Sequence, residues 1–313
     1  MAEALAGNDA LAARGPCAIT VGAFDGVHLG HQAILRATAQ EARARGVVGA
    51  ALTFHPHPSA GREDTGFRYL VSLGDRVRLL GLYGMDVVRV MAFTPETAAI
   101  DAERYVRDTL VGRLSARCVV VGPTHRFGRG GAGDVALLET LGAELGMSVR
   151  VVEPTLHDGE AVSSSRIRNA ITEGDVAAAC EMLGRPATVE GLVVKGFARG
   201  RRLGFPTANL LVPDDRVAPA PGVYAGLARV GESVYPAGIH IGPVPTYGSE
   251  EPSVEAHLVG FDGDLMGTHL VLGFLRRIRE IERFAREDAL VARIRADIRQ
   301  VRDEVARTRF GLD

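Results

Sequence analysis

Residues 21 to 40, VGAFDGVHLGHQAILRATAQ, place His28 and His31 three apart, where a glycine-rich turn leads from an apolar run into a helical pattern. Such a pair could ligate zinc, begin a helix as ordinary polar residues, or handle a phosphate. Zinc lacks a nearby cysteine or third carboxylate to complete its shell, and no HExxH helix is present. Phosphate chemistry fits the context better. Glycines let backbone N–H groups approach an anion, a helix N-terminus turns its positive end toward it, and two imidazoles add donors that follow charge developing on a phosphoryl group. A second anion-handling stretch is SSSRIR, residues 163 to 168. Its serines suit a helix N-cap equally well, and a capped N-terminus is itself an anion site. A third is KGFARGRRLGFPTANL, residues 195 to 210, where Gly196, Gly200 and Gly204 alternate with arginines ahead of Pro-Thr-Ala-Asn. Such residues punctuate turns, but they also wrap phosphates with N–H donors and positive charge.

The elements that must position these residues follow a clear rhythm. Up to about residue 180, short apolar runs (CAITVGAF, VVGAALTF, VVRVMAF, ARCVVVG, SVRVVEP) alternate with segments of helical period, the first of them ending at Gly46. This alternation predicts a parallel sheet covered on both faces, with ligands bound outside the carboxyl ends of its strands, where His28 and His31 stand. Two short helices closing on Gly184 and Pro186 end the pattern. Beyond them, short β-rich runs (ATVEGLVVKG, GVYAGLARV, ESVYPAGIHIG, SVEAHLVGF) separated by Gly, Pro and Asp turns predict a small antiparallel barrel or sandwich, followed by helices. The fold class is therefore α/β, with a parallel-sheet domain at residues 1–186 and a β-barrel domain with terminal helices at 187–313.

At 313 residues the chain has room for two such cores. Its formal charge of −2 sets up no global field for nucleic acid or a membrane surface. The arginines near the C-terminus alternate with acids, as on a solvated helix face. Cys17, Cys118 and Cys180 lie far apart without CxxC spacing, which argues against a disulfide framework and for a reducing cytoplasm. No basic leader and no run of about 18–20 apolar residues is present, so the expectation is a cytoplasmic protein with small-molecule partners. Homo-oligomer formation is left open.

Four segments, GAFDGVHLGHQ, TFHPHP, RFGRGGAGD and SSSRIR, resemble in order and spacing the nucleotidyltransferase half of the bacterial bifunctional riboflavin kinase/FAD synthetase family. The first looks like that superfamily's HxGH signature. KGFARGRRLGFPTANL and SVEAHLVGFDGDLMG resemble the family's riboflavin kinase module. The resemblance implies a Rossmann-like HxGH domain in which the phosphate of FMN attacks the α-phosphorus of ATP and expels pyrophosphate. His28 and His31 would stabilise the pentacoordinate phosphoryl, Gly22, Asp25 and Gly26 would shape the turn, and Ser164, Ser165, Arg166 and Arg168 would hold the triphosphate. In the barrel it implies Mg²⁺–ATP held by Thr207 and Asn209 with the glycine loop around the phosphates. Glu255 would be the base that takes the proton of the riboflavin ribityl hydroxyl as it attacks the γ-phosphate. On an alternating strand Glu255 could equally face solvent. RFGRGGAGD lacks the GxGxxG spacing of a dinucleotide fingerprint and reads as a loop bordering the acceptor pocket.

The chain departs from the family pattern where an acceptor would be read. Thr124 and His125 replace an Asp or Asn followed by Phe, His240 and Val244 replace an Asn and an Arg, and Met266 replaces a Tyr. None of these positions is expected to touch the phosphate-handling residues. They keep two other functions in view, a paralogue with one active module or an altered flavin acceptor, and a non-catalytic flavin-binding protein.

Overall fold

The computed structural model describes residues 3–5, 15–60, 66–196, 199–243 and 252–312, which form two compact units. The first comprises Met1–Phe67 with Val71–Val162, and the second Arg68–Leu70 with Ser163–Asp313.

The first unit is built on parallel strands β1 (Glu3–Leu5), β2 (Cys17–Val21), β3 (Val48–His55), β4 (Val87–Ala92), β5 (Ala116–Val121) and β6 (Ser148–Val151), in the order β1-β4-β3-β2-β5-β6. All five residues of β2 are buried, as a central parallel strand covered on both faces requires. Side chains alternate across the sheet. Ala18, Ala51, Val88 and Val120 pack toward helices α1 (Leu29–Arg45) and α2 (Leu73–Leu82), together with Leu35, Leu79 and Leu80. Ile19, Leu52, Val119 and Val121 pack the other way, against Tyr105, Val106, Leu110, Leu138 and Leu141. Those residues belong to a π-helical segment at Tyr105–Arg113, which short helices α3 (Pro95–Ala98) and α4 (Ala102–Arg104) precede, and to α5 (Val135–Leu145). In the π-segment the Leu114 N–H reaches the Thr109 carbonyl five residues back. Gly46 ends α1 in a left-handed conformation at φ +64°, as expected of a glycine after the last helical turn. A small hairpin, β7 (Leu156–His157) and β8 (Glu160–Ala161), closes the unit.

The chain proceeds from β2 through β3 to β4 on one side and resumes at β5 and β6 on the other. The switch point lies between β2 and β5, so the loops leaving those two strands frame the crevice where ligands bind in open parallel sheets.

The second unit opens with α6 (Ser164–Glu173) and α7 (Val176–Leu183) and continues into strands β9 (Ala187–Val194), β10 (Ala208–Leu211), β11 (Gly222–Val230), β12 (Ser233–Pro243), β13 (Pro252–Leu258) and β14 (His269–Arg279). A one-turn helix, α8 (Arg199–Arg202), interrupts the glycine-arginine stretch. The antiparallel strands close in the order β10-β13-β12-β11-β14-β9, so the β-rich runs form a barrel and not a sandwich. Its interior holds Val189, Leu210, Tyr224, Ile239, Ile241, Val254, Leu272 and Phe274. A single 21-residue helix, α9 (Glu287–Arg307), follows the last strand and lays Ile298, Val301 and Val305 over Ala225, Val259 and Ile278 on the barrel's outside.

Among the described residues, two ion pairs join that helix to β14, an exposed one between Arg276 and Glu304 at 3.0 Å and a buried one. Arg279 at the end of β14 donates to both carboxylate oxygens of Asp297 on α9 at 2.9 to 3.3 Å, and both side chains are almost fully buried. Asp297→Ala leaves a buried guanidinium uncompensated and should cost roughly 3–5 kcal/mol, read as a lowered urea midpoint; an unchanged midpoint would show that the docking of α9 does not depend on this pair.

Candidate functional site

The first site starts from the backbone leaving β2. Phe24 and Val27 adopt φ of +50° and +39°, flanking Asp25 and Gly26, whose φ is +81°. A β-branched residue at positive φ is strained, and surrounding structure must hold it there. Phe24 and Val27 are both buried, and Gln32 Nε2 donates to the Val27 carbonyl at 3.0 Å. Asp25 is fully buried within the turn.

The turn delivers His28 as the N-cap of α1, with extended backbone and an imidazole Nδ1 that accepts from the His31 N–H at 3.4 Å. Because Nδ1 accepts, the hydrogen of the neutral ring is on Nε2, which makes that atom a donor. The rings of His28 and His31 stack with centroids 3.7 Å apart at 20°, and the edge of His31 meets Phe24 at 5.1 Å. No acidic residue occupies the first turn of α1, so nothing within that turn opposes the positive end of the helix dipole. Gly22, Asp25, Gly26, His28 and His31 thus gather at the carboxyl end of β2, as the glycine turn and histidine spacing anticipate.

Thr124 and His125 follow β5, the strand on the far side of the switch point. Thr124 is exposed. His125 stacks on Phe127 with centroids 5.8 Å apart, and burial holds its pKa down to about 4, so its imidazole is neutral at physiological pH. Ser164, Ser165, Arg166 and Arg168 lie in the first turns of α6, in the second unit. The cap of that helix is Ser163, whose hydroxyl accepts from the Arg166 N–H at 3.3 Å. Arg168 Nε donates to the Arg68 carbonyl at 2.9 Å. His55 and His57 border β3, with His57 stacked on Phe67 at 4.4 Å.

Sequence reasoning missed Arg76. It is fully buried on α2, and its Nη1 donates to the Ala23 carbonyl at 2.7 Å, the Phe54 carbonyl at 3.0 Å and the Thr53 hydroxyl at 3.3 Å. One guanidinium therefore ties the turn after β2 to the end of β3. The available signal was its spacing, since Arg76, Leu79 and Leu80 share the buried face of the helix.

The second site lies on the outside of the barrel. Ala208 and Leu210 point inward on β10, as do Val254 and Ala256 on β13 and Ile239 and Ile241 on β12. The residues between them, Asn209, Glu255 and His240, therefore face outward, and they pair across neighbouring strands as Asn209↔Glu255 and Glu255↔His240. Thr207 Oγ1, just ahead of β10, donates to Glu255 Oε2 at 3.4 Å. Glu255 thus faces away from the core among these polar partners.

The glycines of the preceding stretch have steric reasons to be glycine. A Cβ on Gly196 would collide with the Asn209 amide, and one on Gly200 with the Phe205 carbonyl. Gly204 turns the chain at φ +84°. The structure corrects one expectation about the departures. His240 does not stand apart from the residues expected to handle phosphate, because it lies directly across from Glu255. Burial pushes the His240 pKa down, with Glu255 opposing and Arg279 reinforcing the shift. Met266 is exposed, and Val244 lies outside the described residues.

Comparison with known proteins decides the assignment. A family model described as FAD synthetase matches residues 11–166, and one described as riboflavin kinase matches residues 183–305. The bifunctional riboflavin kinase/FMN adenylyltransferase of Escherichia coli (strain K12) is 36% identical over 300 residues, covering 95% of this chain and 93% of that protein. The chain belongs to this family. The Bacillus subtilis (strain 168) protein of the same name is 33% identical over 285 residues, covering 89% of each chain. A crystal structure described as a macrolide-efflux protein from Streptococcus pneumoniae matches with a TM-score of 0.85 at 30% identity, covering 92% of this chain and 94% of that one. Among the described residues of the present chain, no helix is long and apolar enough to cross a membrane.

Arg76 gives this site a test independent of the histidines. Arg76→Met would remove the donor that the Phe54 carbonyl and the Thr53 hydroxyl share with the Ala23 carbonyl, which keeps its bond from Thr53 Oγ1 at 3.0 Å, at roughly 1–3 kcal/mol for each group left unpaired. The expected result is a lowered unfolding midpoint of the first unit together with a loss of FAD formation; a variant as stable and active as the parent would remove Arg76 from the site's support.

Proposed function

We propose that this chain converts riboflavin to FMN on the barrel and FMN to FAD on the parallel sheet, using ATP in both steps, with functional domains at 1–186 and 187–313. The observation that carries the second step is the stacked His28–His31 pair at the start of α1. The phosphate of FMN attacks the α-phosphorus of ATP, pyrophosphate leaves, and His28 and His31 donate hydrogen bonds as charge builds on the phosphoryl oxygens. Gly22, Asp25 and Gly26 hold the turn in shape, and Ser164, Ser165, Arg166 and Arg168 receive the triphosphate. No covalent intermediate is required; positioning and charge stabilisation suffice.

For the first step we assign Glu255 as the base that accepts the proton of the ribityl hydroxyl during its attack on the γ-phosphate. Thr207 and Asn209 flank it with a hydroxyl and an amide oxygen, the hard donors that suit Mg²⁺. When bound, Mg²⁺ would neutralise phosphate charge. Gly196, Gly200 and Gly204 shape the backbone around the phosphates. We place the enzyme in the cytoplasm, in keeping with its three buried, unpaired thiols; burial pushes Cys17 up to about 12 and Cys180 up to about 11.

The two-site assignment predicts separable losses. His31→Ala should remove most FAD formation, by roughly 2.7–4 kcal/mol if its donor is worth an oxyanion-type contact, while FMN formation from riboflavin continues. Glu255→Gln should lower FMN formation by roughly 10²–10⁴ and leave adenylylation of supplied FMN intact. Chromatography of the products from ATP, Mg²⁺ and each flavin reads both reactions; equal loss of both in either folded variant would sink the assignment.

The departures at Thr124 and His125 predict a weakened preference for FMN. Lost hydrogen bonding of ~1–3 kcal/mol and lost aromatic packing of ~0.5–1.5 kcal/mol should be regained in the double variant Thr124→Asp with His125→Phe, read as a higher kcat/KM for FMN. If the parent already makes FAD efficiently and the double variant is no better, the departures are drift.

A further inference from the structure

Thr207 can meet Glu255 only if the backbone that carries it is held in place. Behind it, the chain turns at Gly200, whose carbonyl accepts from the N–H groups of Leu203 at 3.1 Å and Phe205 at 2.8 Å. Ahead of it, β10 begins at Ala208. Between these anchors lies Pro206, which has no N–H to give, so its carbonyl is its one backbone handle. That carbonyl is taken by a side chain. His257 Nδ1 stands 2.8 Å from the Pro206 oxygen. A carbonyl oxygen only accepts, so Nδ1 carries the hydrogen and donates it. The ring also stands edge-on to Phe205, with centroids 5.9 Å apart at 84°.

The strand places His257 where it can make this bond. Val254, Ala256 and Leu258 are buried in the barrel, so Glu255 and His257 point outward together, two residues apart on β13. The strand that presents the carboxylate thereby also grips the segment that presents the hydroxyl.

We propose that His257 is a positioning residue of the kinase reaction, which through the Pro206 carbonyl sets the pose of Thr207 beside Glu255 and so the reception of the ATP phosphates. The inference rests on the roles assigned above to Thr207 and Glu255. It needs the Nδ1–H tautomer and a donor at that position, and it does not require His257 to touch substrate.

The test uses the full chain and two variants. His257→Leu keeps the bulk and loses the donor, and His257→Asn places an amide N–H near the position of Nδ1. Long-range ¹H–¹⁵N spectra of histidine-labelled protein should show His257 as the Nδ1–H form at pH 8. His257→Leu should lower kcat/KM for Mg·ATP by roughly 10- to 100-fold, as small misplacements of catalytic groups do, and weaken calorimetric binding of Mg·ADP, with the KM for riboflavin unchanged. His257→Asn should stay within a few-fold of the parent. Thermal unfolding of the second unit, followed by circular dichroism, reports whether each variant is folded. An Nε2–H tautomer, a His257→Leu enzyme equal to the parent, or an Asn variant as poor as Leu would each overturn the proposal. If His257→Leu instead unfolds the second unit, the tautomer and the Asn variant still decide. A normal Glu255→Gln enzyme would overturn the reading of the base, a result distinct from any of these.

Discussion

The first unit depends on a turn that its backbone does not favour. Leaving β2, the chain must reverse into α1 within a few residues, and Phe24 and Val27 sit at positive φ to do so. Each such residue costs on the order of 1–3 kcal/mol. Burying their side chains returns roughly 1.5–3 kcal/mol apiece, while the Val27 carbonyl accepts from Gln32 and the Ala23 carbonyl from both Thr53 and Arg76. The strain and its compensation are thus of similar size, so the turn persists only while the core around it is intact. Everything the site needs follows from it. The N-terminus of α1 stands at the switch point, and His28 becomes the cap whose own hydrogen bond settles which nitrogen donates.

In the second unit the governing constraint is the two-residue period of a strand. The apolar residues flanking Asn209, Glu255 and His240 fill the barrel, which leaves those three no direction but outward. A register slip of one residue on β13 would drive Glu255 into the apolar interior and expel Val254 or Ala256. Core packing and site placement are therefore one specification. The glycines extend the same logic to the preceding loop, where Gly196 yields its side-chain volume to Asn209 and Gly200 to the Phe205 carbonyl.

This division explains what could be read from the sequence. Long periodic elements were legible: the apolar run before Gly22, the helix stopped by Gly46 and the alternation of strands and helices all stand where their patterns put them. His28 and His31 were legible because glycines and a helix start surround them. Four-residue β10 was not, since ANLL is too short to show a period and is a strand only because β9 and β13 flank it. The π-segment carries no local mark that separates it from an α-helix. The cap of α6 falls on Ser163 and not on its two serine neighbours, a choice among like residues that only the entry angle of the chain makes. The pairing of His240 with Glu255 depends on register between two strands, which no spacing along the chain reveals.

The two sites differ in the one way that their nucleophiles demand. A phosphate monoester has a second pKa near 6 and reaches the α-phosphorus already charged, so a base beside it would be superfluous and a carboxylate would repel it. What that encounter lacks is positive potential to let two anions meet. The end of α1 meets the need with an acid-free first turn and paired imidazoles. A ribityl hydroxyl is neutral and a poor nucleophile, so it needs a group to take its proton. On the reading proposed above, Glu255 on the barrel's outer face takes that proton, with the Thr207 hydroxyl and Asn209 beside it. Exchanging the two sets would fail on both sides: imidazoles held as donors cannot remove the hydroxyl proton, and Glu255 beside the incoming phosphate would raise the barrier that the helix end lowers.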